Sequence, residues 1–225
     1  METIQKKQNT YKSLQELVLG DFQFSQNLEI LLGQKQVISQ KMFQKLNNFQ
    51  VLCATICYCK NLIIFKIDLS LCHFGQEEIS SIIGALKNCL QLRKISLILS
   101  QAQHSNKQKV GDNLVSALFK LNNFSNLQDI TLDLRKNDIT SKGASYLCQL
   151  IEKLPNLKSL SIDLEQNHVF NKGAQLLSVS ISKCKYISFL SINLKHNYIN
   201  DHIMLEKFKQ KARKMNRAVS FQIQI

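Results

Sequence analysis

The stretch Leu157-Lys-Ser-Leu160-Ser-Ile162-Asp-Leu164-Glu-Gln-Asn167, followed by Lys172-Gly173-Ala174 and Leu176-Leu177, decides the fold because the chain repeats it. Thirty residues upstream stands Leu127-Gln-Asp-Ile130-Thr-Leu132-Asp-Leu134-Arg-Lys-Asn137 with Lys142-Gly143-Ala144, and thirty downstream stands Ile187-Ser-Phe-Leu190-Ser-Ile192-Asn-Leu194-Lys-His-Asn197. A fixed period of this size marks a solenoid, in which each unit buries its apolar face only against its neighbours. Within a unit, apolar residues alternate as in a strand and then recur at helical spacing.

Working outward, Leu62 opens an earlier unit through Phe65-Lys-Ile67-Asp-Leu69, and Ile95-Ser-Leu97-Ile-Leu99 opens the next. Helix positions Ile79, Ile82, Ile83 and Leu86 match Leu114, Ala117, Leu118 and Leu121, and then Ala144, Leu147, Cys148 and Ile151. About five extra residues within 101–109 stretch one repeat to 35, which places an insertion on the surface. Residues 1–13 are polar and read as a frayed end. Leu14, Leu17 and Leu19 read as the first strand entry, Gly20 to Gln36 as a covering cap, and about Ser39 to Tyr58 as a helix. A single domain then spans 14–225: a capping unit at 14–61, regular repeats at 62–218 and a final edge strand at 219–225.

The chain has 225 residues, 44% of them apolar, and only 7 Gly and 1 Pro, which argues for one globular unit without a flexible linker. Its formal charge of +13 draws it toward something anionic without choosing among nucleic acid, acidic protein tails and lipid surfaces. No apolar run reaches the roughly 18–20 residues that span a bilayer, and the polar start does not resemble a signal peptide, so the expected compartment is the cytosol or nucleus. Most of the 7 cysteines occupy apolar helix columns, where a thiol serves as a small buried hydrophobe. Cys57 alone falls in a polar column and is expected to be accessible. Cys53, Cys57 and Cys59 with His73 lack zinc-ligand spacing. No phosphate loop, GxSxG or HExxH motif occurs, so neither a cofactor nor catalysis is expected.

The Leu-x-x-Leu-x-Ile entries, the Asn137, Asn167 and Asn197 column and the Lys-Gly-Ala helix starts resemble the leucine-rich repeat family, in its ribonuclease-inhibitor-like branch. That resemblance covers about residue 14 to the end. It implies an α/β solenoid with a curved parallel sheet on the concave face and helices on the convex face, with the Asn column tying coil to coil. The Asn arrives two residues later than in the family pattern, so longer inner strands are expected. The resemblance also implies protein binding on the concave face.

Every second strand residue faces that concave surface. One outward column is Lys66, Ser96, Thr131, Ser161, Ser191 and Ser220; the next is Asp68, Ile98, Asp133, Asp163, Asn193 and Gln222; the third is Ser70, Ser100, Arg135, Glu165 and Lys195. The acidic middle column in a basic protein marks Asp68, Ile98, Asp133, Arg135, Asp163, Glu165, Asn193 and Lys195 as candidate partner contacts. A second candidate is the basic amphipathic helix near Ile203 to Met215, with Lys207, Lys209, Lys211, Arg213, Lys214 and Arg217 around an inward stripe of Leu205, Phe208, Ala212 and Met215. It suits RNA phosphates in a ribonucleoprotein, or the acidic tails of an axonemal or cytoskeletal polymer. No aromatic is interleaved among these charges, so base stacking has no support there. The unprotected strand 219–225 is an edge able to dock on a partner or a second copy. The favoured expectation is a non-catalytic scaffold or complex subunit.

Overall fold

The computed structural model describes residues 8–11, 27–31, 46–72, 74–102, 111–213 and 220–224. Eight described strands form one parallel sheet in sequence order: β1 Gln8–Tyr11, β2 Asn27–Leu31, β3 Ile64–Asp68, β4 Lys94–Ile98, β5 Asp129–Asp133, β6 Ser159–Asp163, β7 Phe189–Asn193 and β8 Ser220–Gln224. Helices α1 Leu46–Tyr58, α2 Gln76–Ala85, α3 Gly111–Leu118, α4 Ser141–Glu152, α5 Phe170–Ser182 and α6 His202–Arg213 alternate with them. The molecule is an α/β repeat solenoid.

The register explains why the repeat holds. Phe65, Ile95, Ile130, Leu160 and Leu190 pair strand to strand, as do Ile67, Leu97, Leu132, Ile162 and Ile192, and both rows are buried. Across the insertion β4 and β5 keep the same register, and its residues 103–110 lie outside the described residues. Helix α4 buries Ala144, Leu147, Cys148 and Ile151 at helical spacing. Its start is fixed twice: the Thr140 side chain accepts from the Lys142 amide, and the Asp112 carboxylate of the preceding coil accepts from the Thr140 and Gly143 amides at 2.8 and 2.9 Å.

Each strand has five residues from β2 onward, and the ladder continues past the strand ends. Leu134 and Lys136 amides reach Asp163 and Glu165 carbonyls, and Leu164 and Gln166 reach Asn193 and Lys195. The apolar alternation is therefore unbroken up to Leu134, Leu164 and Leu194, all buried.

The Asn column sits at the next turn. Asn137 Nδ2 donates to the Leu99 carbonyl at 2.8 Å and Asn197 Nδ2 to that of Leu164 at 2.7 Å. Asn167 Oδ1 accepts from the Asn137 and Ile139 amides at 3.0 and 2.9 Å, while its Nδ2 donates to Leu134 and Leu164. Each side chain thus ties two coils. The residue before the column stands at positive φ in each described coil from β3 to β7: Leu71, Gln101, Lys136, Gln166 and His196, at 54° to 61°.

Three expectations need correction. Strand β1 falls in the segment read as frayed, and β2 falls in the stretch read as a cap, with Leu28 pairing Phe65 and buried. The strand entry expected at Leu14, Leu17 and Leu19 lies outside the described residues, as does the helix before Leu46. The pairing of β8 is shifted by two: Ser191 pairs with Gln222 and Asn193 with Gln224, not with Ser220 and Gln222. A two-residue slip preserves the pleat, so either register turns the same residues inward.

Candidate functional site

The sheet's outward residues were the principal candidates, and the structure gives the acidic column a local job. Each strand-end Asx accepts from the amide two residues on: Asp68 from Ser70 at 2.9 Å, Asp133 from Arg135 at 3.2 Å, Asp163 from Glu165 at 3.0 Å and Asn193 from Lys195 at 3.1 Å. Such an Asx bond turns the chain out of the sheet toward the left-handed residue that follows. Asp68 also accepts from the Ser70 hydroxyl at 2.6 Å and is only 5% exposed, so this expected contact residue is committed to the turn. Ile98 breaks the column and is half-buried.

What the turns leave at the surface is a charge cluster centred on Arg135. Its guanidinium grips Asp133 through two bonds, Nε to Oδ1 at 2.9 Å and Nη2 to Oδ2 at 2.6 Å, and lies 3.6 Å from Asp163. The hydrogen bond to Asp133 holds Arg135 above the usual guanidinium value. Burial pushes the Asp163 carboxyl up, against the hydrogen bonds from Glu165 and Asn193 and the charge of Arg135. Asn193 Nδ2 donates to Glu165 at 3.1 Å, extending the cluster into the next coil. The side chain of Arg135 remains 44% exposed. Beside it, a cavity of about 430 Å³ is lined by Ser70, Ser100, Gln101, Arg135, Lys136 and Glu165 among others. The acidic strip is thus locally neutralised rather than a uniform negative track.

The basic helix is less extensively described. Lys207 is exposed, and Lys209 is half-buried with its ammonium 3.1 Å from Glu206. The side chains of Lys211 and Arg213, and residues Lys214 and Arg217, lie outside what is described, as do the side chains of β8. Leu205 and Phe208 are buried as the inward stripe required.

Sequence reasoning missed a group of rings where the turns leaving the strands run into the helices. His168 and Tyr198 stack with centroids 5.3 Å apart and planes at 12°, and Phe170 stands 5.8 Å from Tyr198. Phe170 is 44% and Tyr198 66% exposed. The signal was available in the 30-residue period, because His168 and Tyr198 occupy equivalent positions in adjacent coils.

Cys57 is exposed, while Cys59, Cys72, Cys89 and Cys148 are buried. Among the described residues, no group of three or more His, Cys, Asp or Glu is arranged to hold a metal, and no helix is long and apolar enough to cross a membrane.

The periodic leucine columns, the Asn ladder and the parallel sheet with its outer helices define a leucine-rich type of α/β repeat solenoid. No family model matches the chain, and no curated protein matches its sequence. Among solved structures it is similar to a protein from Bacteroides fragilis, at 17% identity and a TM-score of 0.48, over 93% of this chain and 59% of that one. The chain therefore spans less than two thirds of that protein's length. It is also similar to an internalin from Listeria monocytogenes, at 12% identity and a TM-score of 0.22, over 96% of this chain and 77% of that one. Neither likeness is strong enough to lend a function.

Proposed function

We propose that this chain is a non-catalytic interaction subunit of ribonuclease-inhibitor-like build, receiving a protein partner across the concave sheet. The Arg135 cluster carries this reading. Its carboxylates and guanidinium are already held in place by bonds to one another and to turn amides, so a partner meets a rigid charged surface with little ordering cost. Around it the sheet offers short polar side chains, Ser96, Thr131, Ser161 and Ser191, over which an extended segment can lie close to the backbone. Asp133, Arg135, Asp163, Glu165, Asn193 and Lys195 are the contacts in this reading; Asp68 is not.

The test uses Thr131, which is exposed at the middle of the sheet and outside the core. The purified chain is used to retain proteins from a nuclease-treated extract at about 0.15 M ionic strength, where exposed charges are already substantially screened. Thr131→Arg and Arg135→Ala should each lose the proteins that the unmodified chain retains. If both variants retain the same set, the concave face is not the docking surface.

A further inference from the structure

The ring group on the loop edge is built in a way that packing does not require. Phe170 and Tyr198 stand at φ of 55° and 57°, a region that disfavours bulky side chains, yet both expose a large part of their rings. Between His168 and Phe170, the side chain of Val169 is the one turned into the core, 0% exposed. The group is also held firmly. The His168 amide donates to the Ile139 carbonyl at 2.8 Å, Phe170 to Asn197 at 3.0 Å, and His168 Nδ1 lies 3.4 Å from Asp138. His168 to Phe170 measures 6.2 Å, so the three rings form a tight triangle drawn from two coils. Rigid, strained, exposed aromatics are what a binding surface needs and a solvated turn does not.

Two lysines lie beside the triangle: Lys172 follows Phe170 by two residues, and Lys142 follows Thr140, which pairs with His168, by two. They stand at matching positions in the first helical turns of α4 and α5, and both are exposed. Of the acids nearby, Asp138 lies 3.4 Å from His168 Nδ1, and Asp201 caps α6 by accepting from the Met204 amide at 2.8 Å. Flat ring faces bordered by positive charge suit a planar, polyanionic ligand. An acidic peptide would satisfy the cations and leave the rings uncovered, and a duplex has its bases already stacked on one another.

We propose that this edge binds single-stranded nucleic acid with little sequence preference, bases stacking on Tyr198 and Phe170 and phosphates meeting Lys142 and Lys172. The site is separate from the concave face and from the basic helix α6, and it stands whether or not the protein-docking reading does.

The test is fluorescence anisotropy of a labelled oligothymidine of about 12 nucleotides, within the usual range of single-strand site sizes, titrated with the full chain at low and near-physiological salt. Phe170→Gly with Tyr198→Gly removes both rings and suits the positive φ, so this variant is expected to keep the fold. It should weaken binding at least about ten-fold, since stacking on one ring is worth on the order of a factor of ten. Lys142→Gln with Lys172→Gln, both on the surface, should weaken binding and lower the salt slope by roughly one to two. Thr131→Arg should leave binding unchanged, which separates this site from the concave face. The proposal is overturned by no binding at low salt, by a duplex binding as tightly, or by the ring-free variant binding like the parent. It is equally overturned if the ring-free variant binds the oligonucleotide normally but loses nuclease-resistant protein partners.

Discussion

Replacing Asn167 by Ala cuts the ladder at its middle rung. Asn167 is 1% exposed, and its side chain accepts from the Asn137 and Ile139 amides at 3.0 and 2.9 Å and donates to the Leu134 and Leu164 carbonyls at 3.0 and 2.8 Å. Alanine strands three backbone groups, the Asn137 and Ile139 amides and the Leu134 carbonyl, while the Leu164 carbonyl keeps its bond from Asn197 Nδ2 at 2.7 Å. A buried group so stranded costs about 1–3 kcal/mol, and a water entering the vacated polar space restores part of it. The expected loss is therefore about 3–4 kcal/mol, a large share of the roughly 5–15 kcal/mol that holds a domain folded. Asn156 is the internal control: its Nδ2 also bonds a carbonyl in the preceding coil, Ser125 at 2.9 Å, but at the exposed surface. Asn156→Ala should cost less than about 0.5 kcal/mol. Urea unfolding followed by circular dichroism reads both. Because coils are coupled only to their neighbours, Asn167→Ala should also lower the slope or split the transition. A loss below about 1 kcal/mol, or one equal to that of Asn156→Ala, would refute the ladder as the tie between coils.

The glycines divide by what surrounds them. A methyl group at Gly84 meets nothing within 4 Å, so Gly84→Ala should stabilise α2 by about 1 kcal/mol and raise the melting temperature by about 2–4 °C. The same change at Gly111 puts a methyl 2.4 Å from the Asn137 carbonyl oxygen and should cost about 1–3 kcal/mol. Gln166 stands at φ 57°, so Gln166→Gly should raise stability by about 0.5–1 kcal/mol in the same melts, against the usual direction for glycine. Burial pushes the Cys59 and Cys72 thiols up to about 12 and Cys89 up to about 11. Thiols raised in the folded state keep their protons while the unfolded chain loses them. Their contribution is complete below the unfolded value near 8.5 and declines as pH rises toward 11–12. Denaturation midpoints should therefore fall from pH 8.5 to 10.5, and replacing Cys59 and Cys89 by Ala should flatten that slope. In the native chain a thiol reagent should modify Cys57 first, and all seven cysteines only after unfolding.

Much of the solenoid was legible because every coil repeats the same local bargain between strand and helix. The columns of Leu160, Ile162 and Leu164, of Ala174 and Leu177 and of Asn167 recur at the coil period, and their copies one coil upstream, Ile130, Leu132, Leu134, Ala144, Leu147 and Asn137, are all buried. The ends were less legible because they lack that redundancy. Alternation along Phe221 and Ile223 specifies which residues turn inward but not which rung they join, since a slip of two leaves the pattern intact. At the other end, Asn27–Leu31 carries too little alternation to stand out from its apolar surroundings, and its pairing with β3 identifies it.

The candidate site divides in the same way. Composition and period alone determined an acidic outward column in a basic protein, the alternation of its strands and the inward place of its leucines. Only the tertiary structure decided that the Asx residues spend one oxygen on the turn amide, that Asp68 is closed off by Ser70, and that Arg135 neutralises Asp133. It alone brought His168, Phe170 and Tyr198 together. The physical reason is that a repeating pattern encodes the interactions each coil makes with its own copy. Hydrogen bonds within a turn, and contacts between unlike residues of adjacent coils, depend on backbone angles and side-chain directions that a one-dimensional period does not contain.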